Sequence, residues 1–318
     1  MKTAVSPHCS PVLVLCIGVL GISSGSILVR LAQGQDMPSL VIAAWRLTLA
    51  SSVLLPLALV RRRAELRRMS GSAWLLALLS GFMLAVHFAA WISSLAYTSV
   101  ASSTVLVSTS PLWVGLAAPF LLQEHLSRSL KIGIALAMLG SLVIGLADVV
   151  DVLDGRLQFS LTQFTRQPNP LLGNALALSG AVAASAYLII GRRLRHGMSL
   201  LSYTAVVYST AAFFLVVMAL TSGYGLFGYS ATAYLVMILM AVFPQLIGHS
   251  SYNWALGYLS AASVSVVVIA EPIGATLLAL LIFQEIPNSI TLMGSALLLS
   301  GIVYAGRPDR KTARSIKA

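Results

Sequence analysis

The chain consists of long apolar runs separated by short polar or basic stretches. Each run is long enough to cross a bilayer as a helix, which needs about 20 mostly apolar residues. The runs do not show the ten-residue alternation that is typical of transmembrane barrel strands. The pattern therefore predicts an all-α polytopic membrane protein with ten transmembrane helices. We place them at residues 11–32, 39–60, 73–96, 99–122, 129–148, 170–190, 201–221, 232–257, 260–284 and 287–306.

One apolar run near the C-terminal end has a counterpart in the first half of the chain. An offset of 161 residues aligns Leu256–Glu285 with Leu95–Glu124 without a gap, and about a dozen of roughly 30 positions are identical. Alanines and leucines could match by chance in so apolar a chain. A proline shared by Pro111 and Pro272, followed in each copy by a terminal Gln-Glu pair, is a much stronger indication. The sequence therefore contains an internal duplication.

Composition indicates that the solvent is lipid. Of 318 residues, 58% are hydrophobic and only 9% are charged, whereas soluble domains carry about 25% charged residues. The net charge of +11 does not predict nucleic-acid binding, because the basic residues lie in short loops where membrane orientation explains them. Cys9 and Cys16 are interpreted as unpaired thiols, since Cys16 lies inside the first span.

Lysine and arginine predict the orientation. With the N-terminus in the cytoplasm, sixteen of them lie on the inner side and two, Arg156 and Arg166, on the outer side. Ten spans then place both termini of this multi-pass membrane protein in the cytoplasm. Since each half has five spans, an odd number, the duplication predicts two inverted five-helix repeats. The predicted division is a first repeat at 1–146, an outer linker at 147–169, a second repeat at 170–306 and a basic cytoplasmic tail at 307–318.

These features together resemble one family. Ten spans, a five-plus-five repeat, an apolar helix with a central proline ending in Gln-Glu in each half, and an arginine early in the second span (Ala43-Ala44-Trp45-Arg46-Leu47-Thr48-Leu49-Ala50) are similar to the EamA-type family of the drug/metabolite transporter superfamily. The likeness covers about residues 10–306. It implies an inner-membrane carrier that works by alternating access, often an exporter of amino acids or other small metabolites. It does not identify the substrate, because a fold does not determine function.

Polar residues inside the spans are the candidate site, because a secondary carrier binds its solute near the bilayer midplane. Glu271 is the only acidic residue deep in a span, and its counterpart in the other repeat is Ser110. A carboxylate at this depth is costly and marks a functional position. It could exchange a proton, pair with a cationic group of the solute, or form a structural ion pair with Arg30 or Arg46.

Two further groups each share one helix face. Gln245, His249 and Asn253 are spaced i, i+4, i+8 on the eighth span, and His87 and Trp91 are spaced i, i+4 on the third. Both groups are predicted to line a central cavity, with interhelical hydrogen bonding as the alternative. No metal site is predicted, because neither histidine has a cysteine or carboxylate near it in sequence.

The remaining candidates are an arginine, a serine and three prolines. Arg46 lies about 12 Å inside its span at 1.5 Å per residue, too deep for simple snorkelling, so it either lines the cavity or anchors carbonyl groups. The hydroxyl of Ser110 either lines the site or permits close helix packing. Pro111, Pro272 and Pro244 interrupt helix hydrogen bonding and are predicted to act as kinks or gates.

Four glycines occupy equivalent positions in the two repeats. Gly133 and Gly140 lie seven residues apart, as do Gly294 and Gly301, so each pair shares one helix face. Small residues let transmembrane helices approach closely. The pairs predict a packing seam between spans or between subunits.

The predicted function is a secondary active transporter that exports a small organic metabolite, such as an amino acid, around a central cavity. Its expected partners are a small-molecule solute and membrane lipid. No cofactor is predicted, because the sequence has no nucleotide-binding fingerprint and ion gradients must then drive transport. The alternatives are an efflux carrier for cationic drugs or toxic compounds, a membrane enzyme, and a non-transporting sensor. Proton coupling, the direction of transport and a homo-oligomeric state stay open.

Overall fold

The computed structural model describes residues 10–98, 103, 106–123, 126–146, 150–153, 156–159, 169–271, 273–274, 277–278, 281 and 289–305. Helices dominate this part of the chain. They are α1 (Pro11–Gln33), α2 (Ser39–Arg61), α3 (Arg63–Arg67), α4 (Gly71–Ser94), α5 (Ser110–Leu121), α6 (Arg128–Leu146), α7 (Pro170–Arg195), α8 (Leu200–Thr221), α9 (Ala231–Met240), α10 (Ser250–Ala255), α11 (Ala261–Val268) and α12 (Ser289–Ala305). A π-helix, Ala241–His249, joins α9 to α10.

Within the described part of the chain, six helical elements are long and apolar enough to cross a membrane. The prediction of a helical multi-pass membrane protein is therefore confirmed. The full count of ten stays a prediction, because four of the predicted spans contain residues outside the described ranges. The six elements are Pro11–Gln33, Ser39–Arg61, Gly71–Ser94, Leu171–Arg195, Leu200–Thr221 and Ala231–Ala255.

Serine residues begin several of the helices. The side chain of each accepts a hydrogen bond from the backbone N–H three residues later, which satisfies one of the free donors at a helix start. Proline begins α1 and α7, where its missing N–H is harmless. The serine caps are Ser70 on α4, Ser199 on α8, Ser230 on α9 and Ser260 on α11.

The outer surface carries large apolar side chains. Val60 is 82% exposed, Phe120 is 85% exposed and Leu171 is 79% exposed. Monomeric soluble proteins rarely expose apolar surface on this scale. These side chains therefore face lipid, which agrees with the composition of the chain.

Helices that are equivalent by the 161-residue offset pack against each other. The offset relates α2 to α8 and α6 to α12, and both of these pairs are in extensive contact. The contact of α4 with α7 likewise corresponds to the contact of α1 with the element formed by α9, the π-helix and α10. The internal duplication in the sequence is thus also a repeat in the packing.

The four glycines lie at the contact between α6 and α12. A Cβ atom added to Gly133 would lie 2.7 Å from the carbonyl oxygen of Gly301, and one added to Gly140 would lie 2.7 Å from that of Gly294. The two helices therefore run antiparallel, and the predicted seam lies within one chain. At such distances a side chain would clash with backbone, so only glycine permits this approach.

A short β-hairpin is the one departure from the all-helical prediction in the described residues. Strand β1 (Val150–Leu153) pairs antiparallel with β2 (Arg156–Phe159), with Val150 opposite Phe159. The hairpin lies inside the predicted linker at 147–169. The sequence carried a signal for it, since apolar and polar residues alternate and the strands are separated by Asp-Gly, a frequent hairpin dipeptide.

Candidate functional site

A narrow cavity lies among the helices of both halves. Its volume is about 50 Å³, which is room for only a few water molecules. It lies beside α1, α2, α4, α7, α10 and the π-helix. It is lined by Ile22, Arg46, His87, Phe88, Trp91, Val107, Ser108, Ser110, Ala184, Tyr187, Leu188, His249, Tyr252, Val268 and Glu271.

The lining follows the internal repeat. Several wall positions come in pairs that are 161 residues apart, so the cavity lies between the two copies. Its two charged residues have no charged counterpart. The offset pairs Glu271 with the neutral Ser110, and it pairs Arg46 with Val207, which is not part of the wall. The pairs on the wall are Phe88 with His249, Trp91 with Tyr252, Val107 with Val268, and Ser110 with Glu271.

Arg46 projects from α2 into the cavity wall and is only 1% exposed. Its Nε donates a hydrogen bond to Oε1 of Gln245 at 2.8 Å. Its Cζ atom lies 4.2 Å from the centroid of the Phe88 ring, which is a cation–π contact. The structure places this guanidinium at the cavity, which is one of the two interpretations made from sequence, and its hydrogen-bond partner is the side-chain carbonyl of Gln245.

Glu271 also lies on the cavity wall, directly after a break in the helix. Its backbone carbonyl accepts a hydrogen bond from Ser23 Oγ at 3.1 Å. Among the described residues, no direct ion pair joins Glu271 to Arg46 or to Arg30, which is exposed. The carboxylate therefore shares the cavity wall with the Arg46 guanidinium without forming an ion pair with it.

Both repeats interrupt their helix at the same place beside the cavity. In the first, a turn at 108–109 precedes α5, and Thr109 N donates to Leu106 O at 3.2 Å. In the second, a turn at 269–270 follows α11, and Ala270 N donates to Val267 O at 3.0 Å. These two hydrogen bonds are equivalent by the 161-residue offset. Broken helices near the midplane are characteristic of substrate sites in secondary transporters.

The predicted kink residues take different positions. Pro111 is buried in the first turn of α5, where proline is compatible with a helix. It therefore starts a helix after the break and does not bend the middle of one. Pro244 is buried within the π-helix. Pro272 lies outside the described residues.

The two histidines predicted to flank a cavity do approach each other. The ring centroids of His87 and His249 are 6.5 Å apart. The His87 ring is parallel to that of Trp91 at 6.2 Å, and its Nδ1 is 3.0 Å from the carbonyl oxygen of Gly180 on α7. The His249 ring meets Phe88 edge-on at 5.1 Å. His87 therefore both lines the cavity and makes an interhelical hydrogen bond.

The three polar residues predicted to share one face of the eighth span do not all reach the cavity. His249 lines the cavity, whereas Gln245 and Asn253 are absent from its wall and are fully buried. Asn253 Oδ1 accepts a hydrogen bond from Tyr187 Oη at 2.5 Å, and its Nδ2 donates to Tyr208 Oη at 3.1 Å. Residues four apart lie about 6 Å apart along the helix axis, so a cavity of about 50 Å³ is reached by only one of the three.

Two tyrosines on the cavity wall, Tyr187 and Tyr252, were not among the candidates from sequence. Tyr252 had a usable signal, because the 161-residue offset aligns it with Trp91. Tyr187 had none, since its place at the cavity depends on how α7 packs against α10.

Comparison with known proteins identifies the class. The model of the EamA-like transporter family matches this chain twice, at residues 10–146 and 171–307. The chain therefore belongs to the EamA-like transporter family, which is part of the drug/metabolite transporter superfamily. This makes it a membrane transporter and not an enzyme.

Similar proteins agree with this assignment. The chain is 24% identical over 289 residues to an uncharacterized transporter of Clostridium kluyveri, covering 88% of each protein. It is 22% identical over 270 residues to an uncharacterized transporter of Archaeoglobus fulgidus, covering 84% of this chain and 88% of the relative. A protein of known crystal structure superposes with a TM-score of 0.72 at 18% identity, covering 97% of this chain and 99% of that one, which shows a shared fold.

Proposed function

We propose that this protein is a secondary active transporter that exports a small organic metabolite, such as an amino acid, through the central cavity. The observation that carries the proposal is the cavity itself, which lies between equivalent elements of two repeats and is bordered by two equivalent helix breaks. Solute sites of secondary transporters are built in this way. One buried cation and one carboxylate on its wall suit a zwitterionic solute.

The two repeats are proposed to lie inverted in the membrane. The glycine contacts support this, because α6 and α12 are equivalent helices and nevertheless run antiparallel. An inverted pair can rock about the central site and open it to each side in turn. Since the cavity holds only a few waters, its walls must separate to admit a solute. The full proposal is ten spans in two repeats, at 1–146 and 170–306. An outer linker at 147–169 joins the repeats, and a basic cytoplasmic tail follows at 307–318.

Two hydrogen bonds between loops support the proposed orientation. In this orientation both termini lie in the cytoplasm and the protein spans an inner membrane. Glu65 Oε1 accepts a hydrogen bond from Ser199 N at 2.6 Å, which joins two loops that are both expected inside. Ser230 Oγ donates to Gln35 Oε1 at 2.8 Å, which joins two loops that are both expected outside. The inner pair carries the arginine clusters, as the positive-inside rule requires.

Cysteine labelling tests the inverted repeats at one matched pair of positions. Arg128 and Ser289 begin α6 and α12, are equivalent by the offset and are both exposed. In a chain whose Cys9 and Cys16 are replaced by serine, Arg128→Cys should react with a membrane-impermeant maleimide only from the cytoplasmic side. Ser289→Cys should react only from the outer side. Labelling of both from the same side would reject the inverted arrangement.

Solute counterflow tests the transport function. The full chain in liposomes loaded with unlabelled amino acids should accumulate the corresponding labelled amino acid, and empty liposomes or liposomes without protein should not. The second candidate, efflux of organic cations, is favoured by Glu271 and the aromatic rings of Phe88, Trp91 and Tyr252, since such rings attract cations. Counterflow of tetraphenylphosphonium without counterflow of any amino acid would favour that candidate. Failure of every solute tested would reject the carrier function.

A further inference from the structure

Three side chains on the cavity wall have a buried polar atom without a hydrogen-bond partner among the described residues. These atoms are Arg46 Nη2, Trp91 Nε1 and Tyr252 Oη. The three residues are 1%, 6% and 2% exposed. Leaving a buried donor unpaired costs about 1–3 kcal/mol, and native proteins avoid it except where a ligand, a water or an ion completes the set. The three atoms therefore indicate a place where a ligand binds.

All three atoms can donate hydrogen bonds. Guanidinium and indole N–H groups only donate hydrogen bonds, and a phenol hydroxyl can donate. The set therefore offers three donors and one fixed positive charge, and its complement is an anionic oxygen group. Arginine also favours planar acids, because its forked N–H groups match the two oxygens of a carboxylate.

The guanidinium is already oriented before a ligand arrives. Its Nε is held by Gln245 Oε1 at 2.8 Å, and its Cζ lies 4.2 Å from the centroid of the Phe88 ring. These two contacts fix the side chain and leave Nη2 free. A donor held in place in this way loses little conformational entropy when a ligand binds.

The donors also come from both halves of the chain. Arg46 and Trp91 lie on α2 and α4 of the first repeat, and Tyr252 lies on α10 of the second. Glu271 does not saturate them, since no hydrogen bond joins its carboxylate to any of the three among the described residues. The rest of the wall is mostly apolar, with Ile22, Val107, Leu188 and Val268 on it.

We propose that the transported solute carries a carboxylate, and that Arg46 Nη2, Trp91 Nε1 and Tyr252 Oη form the subsite that binds it. This inference rests on the proposed carrier function and adds the chemical class of the solute. The carboxylate connects the two repeats, and the remainder of the solute lies along the apolar wall. A positive group on the solute, where present, faces Glu271.

Ligand binding to the purified full chain in detergent tests the subsite. The probes are the twenty amino acids of proteins, small mono- and dicarboxylates, nucleosides, sugars and organic cations, scored by thermal stabilisation. Every carboxylate that stabilises the protein is compared with its primary amide, which keeps the shape and removes the charge. The expected result is that carboxylates are the stabilising compounds and that their amides bind about 10- to 100-fold more weakly. Stabilisation only by neutral or cationic compounds, or equal binding of acid and amide, would overturn the proposal.

Single-donor variants assign the subsite to these residues. Trp91→Phe and Tyr252→Phe keep an aromatic ring and remove one donor, so each should reduce carboxylate affinity about 3- to 10-fold. Each should reduce amide affinity less, because a hydrogen bond to a charged acceptor is stronger than one to a neutral carbonyl. Tyr203→Phe is the matched control. That hydroxyl is 2.8 Å from Ser80 Oγ, away from the cavity, and its loss should not change the acid-to-amide ratio. Equal losses for acid and amide in Trp91→Phe and Tyr252→Phe would overturn the assignment.

Failure of this inference can be told from failure of the carrier function. A cation or sugar that shows counterflow and binds without a carboxylate would reject the subsite and retain the transporter. Absence of counterflow for every solute would reject transport even if carboxylates bound.

Discussion

Replacement of Glu271 by glutamine is expected to reduce proton-linked transport about 100-fold or more while the protein stays folded. Glutamine has nearly the same shape as glutamate, but it can neither carry a negative charge nor exchange a proton. Loss of a positioned proton-transfer group typically reduces a rate by about 100- to 10,000-fold. The measurement is counterflow and pH-gradient-driven uptake in liposomes, beside thermal unfolding in detergent.

Glu65→Gln is the matched control for this variant. Glu65 is also an acidic side chain, but it lies in the loop region at one end of the helices and binds Ser199 N. Its replacement should leave the transport rate close to that of the wild-type protein. Wild-type proton-linked rates in Glu271→Gln would show that Glu271 is not the coupling group. Loss of folding in Glu271→Gln would assign it a structural role.

Replacement of Asn253 by leucine should destabilise the protein strongly and change solute affinity little. The Asn253 amide satisfies the buried hydroxyls of Tyr187 and Tyr208. Leucine would leave the Tyr187 hydroxyl unpaired, at about 1–3 kcal/mol, and would leave the Tyr208 hydroxyl only its contact with Ser250 Oγ at 3.3 Å. We therefore expect the free energy of unfolding to fall by about 2–4 kcal/mol. Denaturant or thermal unfolding in detergent measures this loss, and binding to the remaining folded protein measures affinity.

His249→Ala provides the contrast, because it lies on the same element but lines the cavity. It should weaken solute binding more than it lowers stability. If Asn253→Leu reduces solute affinity more than His249→Ala does, Asn253 contacts the solute in another state of the transport cycle. The comparison therefore separates residues that stabilise the fold from residues that contact the solute.

Ser110 and Glu271 occupy equivalent positions beside the cavity. The turns at 108–109 and 269–270 interrupt the two helices, and Ser110 and Glu271 follow them directly. One repeat therefore contributes a neutral hydroxyl where the other contributes a carboxylate. We expect this difference to favour one orientation of a bound solute.

The membrane class, the repeat and the positions of most helices could be predicted from sequence patterns. Apolar runs of helical length are a local signal, because a lipid environment forces each run to satisfy its own backbone hydrogen bonds. The duplication was visible because one offset aligns prolines, glycines and the Gln-Glu pairs. The close approach of Gly133 and Gly140 to α12 could likewise be expected, since small residues mark helix contacts.

Which polar residues meet depends on the packing of the helices. The bond between Arg46 and Gln245 joins residues 199 positions apart, and no local pattern predicts it. The spacing of Gln245, His249 and Asn253 predicted one common face, but only His249 lines the cavity, whereas Gln245 and Asn253 bind side chains of other helices. Helical periodicity gives the face on which a residue lies but not its neighbours, because contacts between helices depend on packing that a one-dimensional pattern does not contain.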